Sequence, residues 1–264
     1  MSASEHPVSA YLDSPGPVAF AHRGGALVPQ NVGIENTLAA FSHAVSLGYR
    51  YLETDVRCSA DRVLYAWHDE TLARLTGDPR SIADLVSTEI DTLELDGREP
   101  PARLATLLEA FPEARFNIDV KTGDAVEPVA ELLEAHHAVD RVCLAAFSHR
   151  GSQRIRARLP TVATACSSRE VAAMRFASWS TARSLRTLRG RLCLQAPYRR
   201  GRFVFVTPGF VARAHALELP VHVWTVDDAT TMQRLLDMGV DGIFTDRTDI
   251  LRDVLADRGD WRPA

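Results

Sequence analysis

No apolar run in the 264 residues approaches the ~20 needed to cross a hydrocarbon core. The opening residues, MSASEHPVSAYLDSPGP, lack the basic-then-apolar order of a secretory signal. A cytoplasmic protein without a transmembrane segment is therefore expected. Cysteine is scarce: Cys58, Cys143, Cys166 and Cys193 stand singly, with no CxxC pair and no zinc-like spacing. They read as small core residues rather than as ligands. Positive charge is not in excess, since 30 Lys and Arg against 34 Asp and Glu give a net charge of −4. With a pI near 6.1 there is no overall basic field to draw the chain onto nucleic acid, and any phosphate must be gripped locally. The densest basic runs, over 183–191 and at Arg199, Arg200 and Arg202, read as solvated faces or loops. A glycine-rich dinucleotide fingerprint is also missing after the first apolar run.

What is present is an ordinary globular composition, 46% hydrophobic and 24% charged, with enough length for one large core. Residues 1–17 hold three prolines, a glycine and several serines without an apolar period, and read as a flexible or loosely packed lead-in to a domain over 18–264. From there strands alternate with helices. Strands are expected over 18–21, 51–56, 63–67, 115–121, 142–147, 162–166, 192–196, 221–226 and 242–245. Helical spacing relates Leu38, Phe41 and Val45 ahead of Gly48, and further helices are expected over 126–136, 207–219, 230–238 and 250–256. Ser167 and Glu170 have capping-box spacing, and Thr207 followed by Pro208 gives an N-cap with proline at the first helical position. Strands separated by helices pair in parallel, and about eight such units close into a (β/α)8 TIM barrel of the α/β class, with an open doubly wound sheet as the competing architecture.

In such a barrel the chemistry gathers at the C-terminal ends of the strands. The first strand ends in His22-Arg23-Gly24-Gly25, an imidazole and a guanidinium beside residues that let backbone approach a ligand. Glu53 and Asp55, two apart on the next strand, point to one side, where two carboxylates repel unless a cation lies between them. That pair points to a hard divalent metal, Ca²⁺ or Mg²⁺. The run ending at Trp67 leads into His68-Asp69, a second imidazole near the same rim. Asn117, Asp119 and Lys121 share one side of a strand otherwise made for the core; Asp119 is placed to complete a metal site and Lys121 to hold a phosphate oxygen. Trp224 is either a wall of a substrate pocket or part of the core, and Thr245-Asp246 either caps the next helix or tunes the site.

These residues lie in FAHRGG at 20–25, ENTLAAF at 35–41, YLETDVRCSAD at 51–61, WHDETLARLTG at 67–77, FNIDVK at 116–121, VWTVD at 223–227 and GVDGIFTDRTD at 239–249. In that order the chain resembles the glycerophosphodiester phosphodiesterases across nearly its whole length. The resemblance implies a barrel with one divalent metal ion and two catalytic histidines, His22 and His68. It implies that Arg23 and Lys121 hold the substrate phosphate and that Glu53, Asp55 and Asp119 bind the metal. Asp119 stands where that family usually has glutamate, one methylene longer. Spider-type sphingomyelinases D are similar at a greater distance and also carry aspartate before the lysine. The expected reaction is hydrolysis of a small glycerophosphodiester to an alcohol and glycerol 3-phosphate through a cyclic phosphate. The alternatives are a phospholipase D-like lyase on lysophospholipids and a barrel that binds a phosphorylated metabolite without turnover.

Overall fold

The computed structural model describes residues 10–146, 148–176 and 192–263. The basic run over 183–191 and Phe147 lie outside the described residues.

Eight parallel strands close a barrel: β1 (Val18–His22), β2 (Tyr51–Cys58), β4 (Arg115–Val120), β5 (Val142–Ala145), β6 (Ala163–Ala165), β7 (Leu192–Pro197), β10 (Val221–Trp224) and β11 (Gly242–Thr245). They run β1-β2-β4-β5-β6-β7-β10-β11 in space, and β11 pairs back onto β1, with Phe20 opposite Phe244. The barrel, not the open sheet, is thus the fold. The remaining strands sit outside the ring. β3 (Leu64–Ala66) forms an antiparallel hairpin with β2, which is why two expected strands follow one another with no helix between them. β8 (Arg199–Arg200) and β9 (Phe203–Val204) form a small hairpin above β7.

Alternation along β2 shows how one strand serves both layers. Leu52 and Val56 pack outward against Phe41, Ala44 and Leu107 of the surrounding helices. Tyr51 faces inward with Phe20 and Phe244, whose rings stack 4.0 Å apart. Cys143 and Cys193 join this inner layer, and all four cysteines are buried free thiols, as expected. Tyr11 plugs the same layer from below at 1% exposure, its ring edge-on to Tyr51. The loosely packed lead-in expected up to residue 17 is therefore corrected at this point. A single tyrosine without periodic neighbours gives no sequence signal, yet it fills the barrel floor.

The helices begin where the sequence offers caps. Thr37, Ser148, Thr207 and Asp228 each accept a backbone N–H of the turn they start. Ser167 N donates to Glu170 Oε2 at 2.8 Å, one half of the expected capping box. The same carboxylate takes Arg156 in a two-point pair at 2.6 and 3.0 Å. Arg156 lies on a helix that periodicity missed, His149–Arg158, because the arginine-rich run HRGSQRIRAR buries only Ser152 and Ile155. Leu104–Ala110 is a second unanticipated helix. Between β3 and β4 the chain makes short turns over a satellite core of Tyr65, Trp67, Leu72, Ile82, Leu85 and Ile90, which holds this long excursion against the barrel rim. No helix among the described residues is long and apolar enough to cross a membrane.

Candidate active site

The C-terminal ends of the strands surround a cavity of about 340 Å³. His22, Arg23, Glu53, Asp55, His68, Asp119, Lys121 and Trp224, every site residue expected from sequence, line it.

The turn after β1 is built from three consecutive residues at positive φ: Arg23 at 52°, Gly24 at 84° and Gly25 at 88°. Glycine is required at the last two, because a Cβ would lie 2.8 Å from Ala40 at Gly24 and 2.8 Å from Thr248 at Gly25. This tight turn leaves His22 beside the carboxylates. Its Nδ1 is 2.7 Å from Asp246 Oδ1, and its Nε2 is 3.7 Å from Glu53 Oε2. Burial pulls the imidazolium down, but Glu53 and the Asp246 hydrogen bond outweigh it and lift His22 to about 9. Asp246 was left open by the sequence between a helix cap and a role in the site. It takes the second, orienting His22 while its own backbone N–H donates to Asp227 Oδ1 at 2.8 Å.

Glu53 is buried and lifted to about 7, first by desolvation, with His22 pulling it down and Asp55 pushing it up. Asp55, also buried, is held below the usual range: Lys121, then Arg23, overcome the desolvation that opposes them. Register places Asp55 directly opposite Asp119 on β4, and the Lys121 ammonium bridges the two carboxylates at 2.6 Å each. Arg23 Nε lies 3.2 Å from Asp55 Oδ2 without the alignment of a hydrogen bond, so both atoms stay buried without a hydrogen-bond partner.

The three carboxylates expected as metal ligands thus meet at one end of the barrel but do not form one shell. Glu53 faces His22, while Asp55 and Asp119 share Lys121, and among the described residues no group of three His, Cys, Asp or Glu side chains has the geometry of a metal site. Their chemistry still fits a hard cation. All donors are oxygens, and Asp55 Oδ2 is buried without a hydrogen-bond partner.

His68 stands at the rim of the cavity, 38% exposed, with Nδ1 2.7 Å from Asp69 Oδ1. Arg57 donates to its backbone oxygen at 3.1 Å. Trp224 packs partly on the inner layer and partly lines the cavity, which joins the two readings of it. The cavity also takes residues that sequence reasoning did not assign. Gln195 Nε2 donates to Asn117 Oδ1 at 2.6 Å on the floor. Arg200 of β8 and Phe205, just after β9, enter the wall, so Arg200 is more than part of a solvated run. Glu35 was missed as well, although a carboxylate following an HRGG turn is a usable signal. It accepts Arg23 Nη1 at 3.0 Å and so aims the guanidinium.

Comparison with known proteins gives this geometry a family. Residues 22–250 match the Glycerophosphoryl diester phosphodiesterase family. The chain is 38% identical over 270 residues to the Mycobacterium tuberculosis protein named "Probable glycerophosphodiester phosphodiesterase 2", covering 99% of each. A glycerophosphodiester phosphodiesterase of Agrobacterium tumefaciens superposes with a TM-score of 0.75 at 27% identity, over 91% of this chain and 99% of that one. An Oleispira antarctica phosphodiesterase, solved with the product sn-glycerol-3-phosphate, shares the fold at a TM-score of 0.77 and 21% identity, over 91% of this chain and 97% of that one. The chain therefore belongs to the glycerophosphoryl diester phosphodiesterase family and is an enzyme of that class.

Proposed function

We propose that this enzyme hydrolyses glycerophosphodiesters to an alcohol and glycerol 3-phosphate with one divalent metal ion and two histidines. The observation that carries this reading is the meeting of His22, His68, Arg23, Lys121 and three carboxylates in one cavity. Glu53 and Asp55, with Asp119, would hold Ca²⁺ or Mg²⁺, which when bound supplies positive charge against the phosphodiester oxygens. Arg23 offers a fork and Lys121 a point charge to the same oxygens.

Asp246 at Nδ1 leaves Nε2 of His22 turned towards the cavity as a proton acceptor. His22 takes the proton of the free glycerol hydroxyl next to the phosphate, whose oxygen then attacks phosphorus. The bond from phosphorus to the leaving alcohol breaks, and His68, at the exposed rim, gives that alcohol its proton. Water opens the resulting cyclic phosphate with the two roles exchanged. Glu53 does most to raise His22, and a cation held by that carboxylate would offset its pull on the imidazole.

One second reading has a specific observation in its favour. Ala145, Ala146, Ala165, Val171 and Phe205 make one wall of the cavity apolar, which suits an acyl-bearing diester. The test is to incubate the enzyme with glycerophosphocholine and, separately, with lysophosphatidylcholine and to identify the products. Glycerol 3-phosphate from the first is the expected result. A cyclic phosphate from the lysolipid with no turnover of glycerophosphocholine would replace the hydrolase by a lyase, and no reaction with either would leave the reading without support.

A further inference from the structure

Arg74 does not line the cavity, yet it ties the loop that carries His68 to the loop after β1 that holds Arg23. Its Nε donates to Asp69 Oδ2 at 2.6 Å. Its Nη1 and Nη2 donate to the two oxygens of Glu35 at 2.8 and 2.7 Å. Asp69 belongs to the loop after β3 and holds His68 Nδ1 with its other oxygen; Glu35 belongs to the loop after β1 and holds Arg23. One guanidinium therefore closes a chain running from His68 through Asp69, Arg74 and Glu35 to Arg23.

The backbone beneath Arg74 is fixed. Leu72 is fully buried in the satellite core, and its N–H donates to Arg80 O at 2.9 Å. Thr71 bridges to Ser81, and Gly77, at φ 80°, ends the short helix Ala73–Thr76 that carries Arg74. The need for this anchor comes from the exposure of His68. A half-exposed imidazole held by one hydrogen bond is only as well oriented as its partner, and the Asp69 carboxylate is itself 25% exposed. Arg74 is the only charged partner of Asp69 besides His68 among the ion pairs of the described residues. Three coplanar N–H directions meet two carboxylates on different loops, a match that an ammonium cannot reproduce.

We propose that Arg74 is a positioning residue that fixes Asp69, and through it His68, in the orientation from which His68 protonates the leaving alcohol. This rests on the assignment of His68 as the acid given above. Arg23 keeps its own bond to Glu35 when Arg74 is removed, so the loss falls on the proton transfer rather than on phosphate binding.

The test compares wild type, Arg74→Ala and Arg74→Lys on glycerophosphocholine and on the p-nitrophenyl ester of glycerol 3-phosphate. Choline needs a proton as it leaves, whereas p-nitrophenolate does not. With Arg74→Ala, kcat on glycerophosphocholine should fall on the order of 10²-fold with KM within about threefold, and kcat on the p-nitrophenyl ester less than about fivefold. Arg74→Lys should recover part of the first loss, since an ammonium still reaches Asp69. An equal fall on both substrates in both variants, or no fall on either, would overturn the proposal. Should Arg74→Ala fail to fold, shown by a collapsed thermal transition, Arg74→Lys on the same two substrates decides alone. Wild type that cleaves neither substrate would instead count against the hydrolase reading itself.

Discussion

Replacing His22 by alanine is expected to lower kcat on glycerophosphocholine by about 10³-fold, within the range that general acid–base groups contribute. No other described side chain stands where His22 does, between Asp246 at 2.7 Å and Glu53 at 3.7 Å. Added imidazole should restore part of the rate, because the cavity left by the side chain stays lined by Arg23, Lys121 and the carboxylates. The same substitution carries a stability signature of opposite pH sense to that of a carboxylate. His22 is lifted to about 9, so its contribution is complete below the unfolded value near 6.5 and is lost as pH rises through about 9. Urea midpoints of the metal-free wild type should accordingly decline between pH 7 and 10 more than those of His22→Ala. Parallel declines in the two proteins would remove the charge partnership with Glu53 and Asp246 from the account.

Asp55→Asn is expected to abolish turnover to below about 10⁻³ of wild type and to lower the stability of the metal-free protein by about 3–5 kcal/mol, the usual cost of removing one partner from a buried ion pair. Asp55 is 2% exposed and neutralises two cations, Lys121 at 2.6 Å and Arg23 at 3.2 Å. The amide leaves both with less than their due of negative charge, and removes a proposed metal donor from β2. Because the folded-state pKa of Asp55 lies below its unfolded value, its contribution is present above that unfolded value and is lost as pH falls through the folded one. The stability gap between wild type and variant should therefore narrow on acidification. Denaturant titration at pH 7 and near pH 3 measures it; a gap that is absent at pH 7, or that widens in acid, would show that repulsion with Glu53 outweighs the two cations.

The barrel was legible in the sequence wherever a strand or helix had a strong local period. The strand 51–56 and the helix around Phe41 are set by apolar spacing that any neighbour would reinforce. The helix His149–Arg158 was not legible, because Arg156 and Arg158 are paired with Glu170, Glu127 and Glu134 on other elements, contacts that local pattern cannot show. Tyr11 was missed for a similar reason: it acts as one side chain filling the floor of a closed ring. At the site, residues at strand ends were readable because the barrel dictates where those ends go. Those that act through a second group, Arg74 and Gln195, were not, since each takes its meaning from a partner dozens of residues away. Asp119 reads as a third ligand in the sequence; that it shares Lys121 with Asp55 became visible only once β2 and β4 were in register.

The central claim joins the carboxylates to metal-dependent phosphodiester hydrolysis, and it is tested most directly by metal removal. Enzyme stripped with a chelator and returned to chelator-free buffer would be assayed for glycerol 3-phosphate release from glycerophosphocholine while Ca²⁺ or Mg²⁺ is titrated back. The account predicts loss of turnover on stripping and its recovery at about one ion per chain, with no recovery in Asp55→Asn. Full turnover by the stripped enzyme would contradict it.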